Sequence, residues 1–417
     1  MQFAIWFRNL QRSPFHPLAL LALIGAFAFS PCVASSGAIS AELIAGGFES
    51  TNLWNAGVGG YQTYRIPGIV VTPHGTVLAY TSARRNLDLG DWSNIDIVLR
   101  RSTDGGRTWE ASRRIAGDGH GTTDNPVAIV DHQTGAIHFL FQKNYARCFY
   151  MRSDDDGRTF SVPVDITYVF EQFRRDYDWH VMAPGVGHAI QLRSGRLLVP
   201  IWMAIGKQEG PVMRAHRPSA VATIYSDDHG KTWKRGDIIV SNSDEIPNPS
   251  ESMAVQLADG RVMMNIRNES TKHRRVVSIS PDGISQWSTP RFDDQLYEPV
   301  CAASIVRYSA RPPEGRNRIL FSNPDSESIP GVGRFEFRAR QNLTLRMSYD
   351  EGLTWPVQKV IDPGVTGYSD LAVSPDKTIY CIYESGAIGG QETDNDRVIV
   401  ARFKLAWLTG QNGAGHR

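Results

Sequence analysis

Cysteine is scarce in this chain, and the few cysteines follow no pattern. The sequence has four cysteines and eleven histidines in 417 residues. Cys32 lies in the N-terminal segment 1–41, and the other three, Cys148, Cys301 and Cys381, form an odd, sparse set that excludes a disulfide framework. The histidines are scattered too, and no Cys/His cluster has the spacing of metal ligands. We therefore expect no metal site, and we expect stability to come from a packed core.

A strong net charge is also absent. The 44 Lys and Arg residues are balanced by 43 Asp and Glu residues, which leaves a formal charge of +1 at pH 7. Nucleic acids and anionic membrane surfaces are bound by proteins with concentrated positive charge. The composition therefore predicts neither kind of partner.

The chain has no Pro- or Ser-rich linker and no run of like charge that would divide it. It also lacks a long apolar stripe of helical period beyond the N-terminal region. With 41% hydrophobic residues, it is long enough to bury a large core. We predict a single domain over residues 42–417.

The N-terminal segment differs from the rest. Arg8 and Arg12 precede an apolar run at 18–29, and small residues follow at 33–41. This order is typical of a secretory signal peptide, and a run of about 12 apolar residues is too short to cross a bilayer comfortably. We predict a signal peptide over 1–41 with an approximate cleavage point, a secreted or periplasmic product, and no stable membrane insertion after cleavage. A disordered or membrane-tethering tail is the alternative.

One short phrase recurs along the chain. RSTDGGRTW at 101–109 returns as RSDDDGRTF at 152–160, YSDDHGKTW at 225–233 and MSYDEGLTW at 347–355, with a degenerate copy, ISPDGISQW, at 279–287. Glycine supplies positive φ and Asp hydrogen-bonds its local backbone, so each copy predicts a tight hairpin turn. Calcium loops are the alternative, but each copy offers too few oxygen ligands for calcium.

Short apolar segments rich in β-branched residues flank these turns. The clearest lie at 68–72, 95–100, 136–142, 195–202, 219–225, 261–266, 378–383 and 397–403. Segments of this kind, bounded by turn residues, predict strands. Many short strands around a repeated unit of about 50 residues are typical of a β-propeller.

The repeated phrase resembles the Asp box of sialidases (neuraminidases). Five further segments are similar to that family's motifs and occur in the family's order: YRIP at 64–67, GDWSNIDI at 90–97, ESMAVQLADGRVMMNIRN at 251–268, RQNLTLRM at 340–347 and GYSDLAV at 367–373. The resemblance to bacterial-type exo-α-sialidases implies an all-β fold, a six-bladed β-propeller of four-stranded antiparallel sheets. Since five copies of the turn are visible, the sixth blade would close with strands from both chain ends.

The resemblance implies that Arg65, Arg267 and Arg340 form a triad that binds the carboxylate of sialic acid. Arginine suits this task, because it is always charged and binds carboxylates in a bidentate way. These residues are far apart in sequence, so only a closed ring of blades would bring them together. For each arginine alone, a solvated charge or a structural ion pair is the alternative.

The same resemblance implies that Tyr368 is the nucleophile and Glu251 its base. An anionic nucleophile would be repelled by the carboxylate of the substrate, whereas a neutral phenol would not. A phenol has a pKa near ~10 and therefore needs a base within hydrogen-bond reach. A half-buried strand tyrosine and a loop acid are the structural alternatives.

Asp91 matches the family's acid/base, which protonates the leaving oxygen and then deprotonates water. Asp88 is the rival for this role, since loop lengths vary in this segment. Asp96 falls on a predicted strand, and we expect a structural role for it.

Other positions match the family more loosely. Arg84 resembles an extra arginine that contacts the ring substituents of the substrate, and Asn125 a position near the acyl pocket. Glu384 resembles an acid that steadies a triad arginine, with an exposed loop acid as the alternative. His188 and Trp202 are candidates for a glycerol-side pocket, with core or rim positions as the alternative.

The resemblance implies a retaining exo-α-sialidase that acts on sialylated glycans without a metal or organic cofactor. A trans-sialidase or a hydrolase of a related ulosonic acid would keep every residue named here. A non-catalytic glycan-binding propeller would be expected to lack one of the residues Asp91, Glu251 and Tyr368, and all three are present.

Overall fold

The computed structural model describes residues 39–410 except 41, 45–46, 210–211, 330–338 and 389–394. The predicted signal peptide, 1–41, lies outside the described residues apart from the two-residue strand Ile39–Ser40, which pairs with Thr108–Trp109. Residues 38–417 form one compact unit by their contacts.

Antiparallel sheets dominate the described chain. The first sheet has the strands Thr63–Val71, Val77–Arg84, Ile95–Ser102 and Arg113–Ala116 in that order. The second has Thr123–Val130, Ile137–Lys143, Arg147–Ser153 and Val164–Asp165, and Gly187–His188 joins it in parallel. The third has Val181–Pro184, Leu197–Ala204, Ser219–Ser226 and Lys234–Ser241, with Ile190–Gln191 beside its second strand. The fourth has Ser252–Gln256, Val262–Ile266, Arg274–Ser280 and Arg291–Tyr297.

The fifth sheet has eight strands. Their spatial order is Glu42–Ile44, Phe48–Asn55, Arg397–Phe403, Ile379–Ser385, Val357–Val373, Gln341–Ser348, Arg318–Pro324 and Ser304–Ser309. A separate two-stranded ribbon pairs Lys207–Glu209 with Val212–Arg214. Helices are short: Tyr168–Glu171 and Leu405–Thr409 are α-helical, and Gly90–Trp92, Gln172–Arg175 and Ser326–Ser328 are 3₁₀ turns.

This arrangement confirms the all-β, propeller-like expectation but not the expected number of separate blades. Four sheets of four or five strands stand as separate blades, so the prediction of six separate four-stranded sheets is wrong as stated. The cause is the strand Val357–Val373, whose first half pairs with Gln341–Ser348 and whose second half pairs with Ile379–Ser385. One continuous strand therefore joins what was expected as two sheets.

The core lies between the faces of neighbouring sheets. Apolar clusters fill the contacts between the first and second sheets, the second and third, the third and fourth, and the fourth and fifth. Another cluster, with Leu53 and Val398 on one side and Ile69 and Val98 on the other, joins the fifth sheet to the first. The ring is therefore closed, and the expected closure by both chain ends is observed, because Phe48–Asn55 pairs with Arg397–Phe403.

In each of the first four sheets the repeated turn lies between the third and fourth strands, and in the fifth sheet the copy at 347–355 joins Gln341–Ser348 to Val357–Val373. In the first copy, Ser102 Oγ donates to Asp104 (2.8 Å), and the backbone nitrogen and hydroxyl of Thr108 donate to the same carboxylate at 2.9 and 2.6 Å. The same bonds recur in the copies at 152, 225 and 347. The tryptophans that end three of the copies are buried in the clusters between sheets: Trp109, Trp233 and Trp355. These turns are structural, as their composition predicts.

Candidate active site

One cleft collects most of the predicted site residues. It has a volume of about 370 Å³, and the inner strands of several sheets contribute to its walls. Nine of the eleven candidate residues line it: Arg65, Arg84, Asp91, Asn125, Trp202, Glu251, Arg267, Arg340 and Tyr368. Glu384 and His188 do not line it, and Glu384 bonds Arg65. Residues that are up to 303 positions apart in the chain therefore meet at one site.

Tyr368 and Glu251 form a hydrogen-bonded pair in the cleft. Tyr368 lies in the second half of the strand Val357–Val373, and Glu251 directly precedes the strand Ser252–Gln256. The Tyr368 hydroxyl lies 2.7 and 2.6 Å from the two carboxylate oxygens of Glu251. Burial raises the pKa of Tyr368 well above its ordinary value of 10.0, which the positive charge of Arg267 opposes only in part. The phenol is therefore neutral and has a carboxylate beside it to accept its proton.

Three guanidinium groups surround the Tyr368 ring. The central carbons of Arg65, Arg267 and Arg340 lie 5.2, 6.0 and 5.4 Å from the centre of that ring. Arg65 comes from the first sheet, Arg267 follows a strand of the fourth, and Arg340 precedes a strand of the fifth. Three permanent positive charges at one point form a strong site for a carboxylate.

Glu384 holds one side of this site in place. Its carboxylate accepts from Arg65 at two contacts of 3.3 Å, from the Ile66 backbone nitrogen at 2.8 Å and from the Tyr368 backbone nitrogen at 2.9 Å. Glu384 is fully buried, so the exposed-acid alternative is wrong. Gly367 permits this packing, because a Cβ there would lie only 2.1 Å from the Glu384 carboxylate.

Two β-branched residues with strained backbone, Ile66 and Val300, lie beside this site. Ile66, Val300 and Asn125 have φ angles of 56°, 58° and 54°. Positive φ is a rare conformation for β-branched residues and is kept where surrounding structure enforces it. Ile66 follows Arg65 in sequence, and the Val300 carbonyl accepts from Arg340 Nη2 at 2.6 Å. The strained segments therefore orient Arg65 and Arg340.

Asp91 lines the same cleft as the tyrosine pair. It occupies the 3₁₀ turn Gly90–Trp92, its side chain is 37% exposed, and its Oδ1 accepts from Arg84 Nη2 at 2.5 Å. Burial alone would raise the pKa of Asp91, but the charges of Arg84 and Arg65, and that of His216 when its ring is protonated, hold it well below its ordinary value. The unliganded site therefore keeps Asp91 ionised.

The two other aspartates of this segment lie elsewhere. Asp88 is exposed and bonds Asn86. Asp96 is buried and accepts from Tyr61, Arg85 and the Gly119 backbone nitrogen, which confirms a structural place for it. Neither of them lines the cleft.

Trp202 lines the cleft but His188 does not. The His188 ring bonds the buried Asp370 at 2.7 Å, so of the two alternatives the core position, rather than a place in this cleft, describes His188. Its local sequence, GVGHAIQ, carries no information on which way the ring faces.

Sequence reasoning missed one wall of the cleft. His216 lies against Trp92, Tyr145 and Trp202, with ring centres 4.6, 5.0 and 5.0 Å apart. On the same side, Arg217 forms a bidentate pair with Glu269. His216 and Arg217 lie in a segment without any repeated motif, and no spacing in the sequence connects them with Asp91.

Two features are absent from the described residues. They contain no group of three or more His, Cys, Asp or Glu side chains placed to hold a metal ion. They also contain no helix that is long and apolar enough to cross a membrane.

A family model and two curated proteins match most of this chain. A family model described as a BNR repeat-like domain matches residues 90–381. The chain is 32% identical to a sialidase of Micromonospora viridifaciens over 92% of this chain and 60% of that protein. The chain belongs to the sialidase family with BNR repeats. A sialidase of Bacteroides fragilis is 29% identical over 79% of this chain and 61% of its own length.

Solved structures of the family share the fold. A microbial sialidase, Hz136, matches with a TM-score of 0.69 and 27% identity, over 86% of this chain and 69% of that one. An intramolecular trans-sialidase of Ruminococcus gnavus matches with a TM-score of 0.68 at 17% identity, over 86% of this chain and 98% of that one, which bears on the fold alone. The chain spans about 60% of the length of the Micromonospora viridifaciens and Bacteroides fragilis sialidases.

Proposed function

We propose that this protein is an exo-α-sialidase that hydrolyses terminal α-linked sialic acids from glycoconjugates with net retention. One observation carries the proposal: the Tyr368 hydroxyl bonds Glu251 while three arginines surround the Tyr368 ring. A sugar whose anomeric carbon bears a carboxylate would fit this site, because the arginines would hold the carboxylate and place that carbon over the phenol.

The first step would transfer the sugar to the enzyme. Tyr368 Oη forms a bond to the anomeric carbon as the bond to the leaving oxygen breaks, and the phenolic proton passes to Glu251. Asp91 gives a proton to the leaving oxygen. A neutral nucleophile avoids repulsion by the substrate carboxylate, and sialidases are a known exception to the use of Asp or Glu in this role.

The second step would release the sugar. Water attacks the anomeric carbon, Asp91 takes a proton from that water, and the bond to Tyr368 breaks as Glu251 returns its proton. Two inversions at one carbon give net retention. Arg84, Asn125 and Trp202 lie along the cleft and would contact the ring substituents and side chain of the sugar.

Binding of the substrate carboxylate would also change the pKa of Asp91. Arg65 is among the groups that lower the pKa of Asp91, and Arg65 would then share its charge with the substrate. The pKa of Asp91 therefore rises on binding, which moves this side chain toward the protonated form that the first step requires.

Release of free sialic acid from defined α2,3-, α2,6- and α2,8-linked sialosides tests the proposal, with Tyr368→Phe as the control. We expect release by the wild type, with the α-anomer appearing first in NMR spectra. Absence of release by the folded protein from every sialoside would contradict the proposal, and analogue binding without release would favour the glycan-binding alternative. Transfer to added lactose would favour a trans-sialidase, and release only of the deaminated sugar would favour the related hydrolase.

We also propose that the eight-stranded sheet acts as two blades, which would give six in total. An apolar cluster, with Leu345 and Met347 on one side and Leu371 and Ile399 on the other, packs between its two halves as the other clusters pack between separate sheets. An experimental structure with six equivalent units around the axis would test this.

The signal-like N-terminus supports a secreted or periplasmic location for the protein, with sialylated glycans as its partners. The processed N-terminus of exported protein, read by sequencing, tests the cleavage point. An N-terminus at Met1 in the secreted fraction would contradict it.

A further inference from the structure

His216 faces the free oxygen of Asp91. Arg84 occupies Oδ1 of that carboxylate, whereas Oδ2 lies 3.9 Å from His216 Nδ1. This separation is about 1 Å longer than a hydrogen bond, a gap that a small rotation or one water molecule closes. The two oxygens of Asp91 therefore face different groups, one a permanent cation and the other a titratable ring.

Aromatic neighbours fix the orientation of the imidazole. The ring is stacked on Trp92 at an angle of 24° and meets the edge of Trp202 at 70°. His216 Nε2 is buried without a hydrogen-bond partner among the described atoms, so the polar contact of the ring is the one from Nδ1 toward Asp91. A phenyl ring would pack equally well there, so packing alone does not account for a histidine.

Charges of both signs act on His216. Asp91 and Glu251 favour the imidazolium, while Arg267 and the neighbouring Arg217 disfavour it. Burial outweighs these contributions and lowers the pKa of His216 below its ordinary value of 6.5. At neutral pH the unliganded site therefore holds a neutral imidazole beside an ionised Asp91, and neither group carries the proton that the leaving oxygen needs.

We propose that His216 is a positioning residue for Asp91. Its Nδ1 gives a proton to Asp91 Oδ2 before the first step and takes a proton back from Asp91 in the second. This inference rests on the proposed function. Before the first step the His216 N–H bond breaks and an Asp91 O–H bond forms, and that proton then goes to the leaving oxygen. In the second step Asp91 takes a proton from water and returns it to His216.

Binding of the substrate would start this sequence. The carboxylate of the sugar would offset the field of Arg267, which is one of the charges that disfavour the imidazolium. The pKa of His216 therefore rises on binding, and the ring takes up a proton from solvent when the substrate arrives.

Kinetics of the full chain provide the first test. We expect His216→Phe and His216→Gln to lower kcat/KM for an alkyl sialoside such as 3'-sialyllactose by ~10-fold or more, on the lower side of the scale of general acid catalysis. An aryl sialoside, whose phenolate leaves without a proton, should stay within about threefold. The alkaline limb of the alkyl profile should move to lower pH. His180→Phe, at a half-exposed histidine outside the cleft, is the matched control and should leave both substrates unchanged.

Equal losses on the two substrates, or no loss on either, would overturn the inference. If His216→Phe fails to fold, His216→Gln and a direct titration decide. The His216 ring signal, followed by NMR, should titrate at lower pH in Asp91→Asn than in the wild type, because the carboxylate that favours the imidazolium is gone. An unchanged midpoint would also overturn the inference. If the midpoint shifts but the wild type releases no sialic acid, the proposed function fails and the contact between Asp91 and His216 stands.

Discussion

At the scale of single residues, Tyr368 and Glu251 depend on each other. The phenol has a raised pKa and cannot attack while it keeps its proton, and Glu251 is the carboxylate that touches it. Residues that act as a unit give non-additive losses. We therefore predict that Tyr368→Phe and Glu251→Gln each lower kcat by ~10²-fold or more, and that the double variant is scarcely worse than the more damaged single one.

Steady-state kinetics of the three variants check this, with binding of a planar carboxylate-bearing analogue as the control. The arginines remain in all three, so affinity for the analogue should stay near that of the wild type. Multiplicative losses in the double variant would mean that the two residues act independently, and lost binding in Tyr368→Phe would indicate a structural role for the ring.

Arg340 tests the geometry of the triad rather than its charge. Lysine keeps the charge at this position but loses the planar, bidentate fork. We predict that Arg340→Lys lowers transition-state stabilisation, measured from kcat/KM, by on the order of 2–4 kcal/mol. Arg397→Lys, at a half-exposed arginine outside the cleft, is the control. A kcat/KM for Arg340→Lys within threefold of the wild type would remove Arg340 from the triad.

The residues that sequence reasoning placed in the cleft share one property, which His216 lacks. Arg65, Asp91 and Tyr368 each lie inside a segment whose neighbouring residues also resemble a sialidase motif, so the surrounding residues identify them. His216 follows the ribbon of Lys207–Glu209 and Val212–Arg214 in the sequence. The residues around His216 match no motif. Its contact with Asp91 depends on packing between distant segments, which local patterns do not contain.

At the scale of elements, the repeated turns couple stability to pH. Burial alone would raise the pKa of Asp104, but hydrogen bonds from Thr108 and Ser102 hold it at about 2, and Asp155 and Asp228 have the same value in their copies. A carboxylate with a depressed folded pKa stabilises the fold above its unfolded pKa. That contribution is lost as the pH falls through the folded pKa.

We therefore predict that the free energy of unfolding falls between about pH 4 and pH 2, and that Asp104→Asn makes this fall smaller. Urea denaturation at several pH values measures the effect, with Asp88→Asn in an exposed loop as the control. At neutral pH, kcat/KM of Asp104→Asn should equal that of the wild type, since the turn lies outside the cleft. The same pH dependence in Asp104→Asn and the wild type would contradict this account of the turns.

The strands were easier to predict than their grouping into sheets. The apolar segments at 95–100, 219–225 and 397–403 lie in Ile95–Ser102, Ser219–Ser226 and Arg397–Phe403. Their alternation and turn signals are local, so the sequence contains them. The 17-residue strand Val357–Val373 includes Pro363 and Gly364, residues that are typical of a strand end. The strand nevertheless continues from one half of the fifth sheet to the other. Pairing with partners on both sides overrides the local signal there.

At the scale of the whole molecule, the ring is closed by a strand from the N-terminal side. Phe48–Asn55 covers the edge of Arg397–Phe403, and the Phe48 ring packs against Phe403 and Trp407 with ring centres 5.7 and 4.7 Å away. Leu53 and Trp54 fill the cluster between the fifth and first sheets. Burying three such side chains contributes roughly 5 kcal/mol or more, which is comparable to the whole stability of many domains.

We therefore predict different fates for two truncated chains. A chain of residues 42–417 keeps the closing strand and should match the full chain in its thermal midpoint and, within threefold, in kcat/KM. A chain of residues 57–417 leaves the edge of Arg397–Phe403 uncovered, and an exposed edge of this kind favours aggregation. It should lose its cooperative thermal transition and its activity together, because Arg65 lies in the first sheet, which packs on the closing strand. If residues 57–417 melt at the same temperature as 42–417, the closing strand is not what holds the ring together. If residues 42–417 fail to fold while the full chain folds, the predicted domain boundary is wrong.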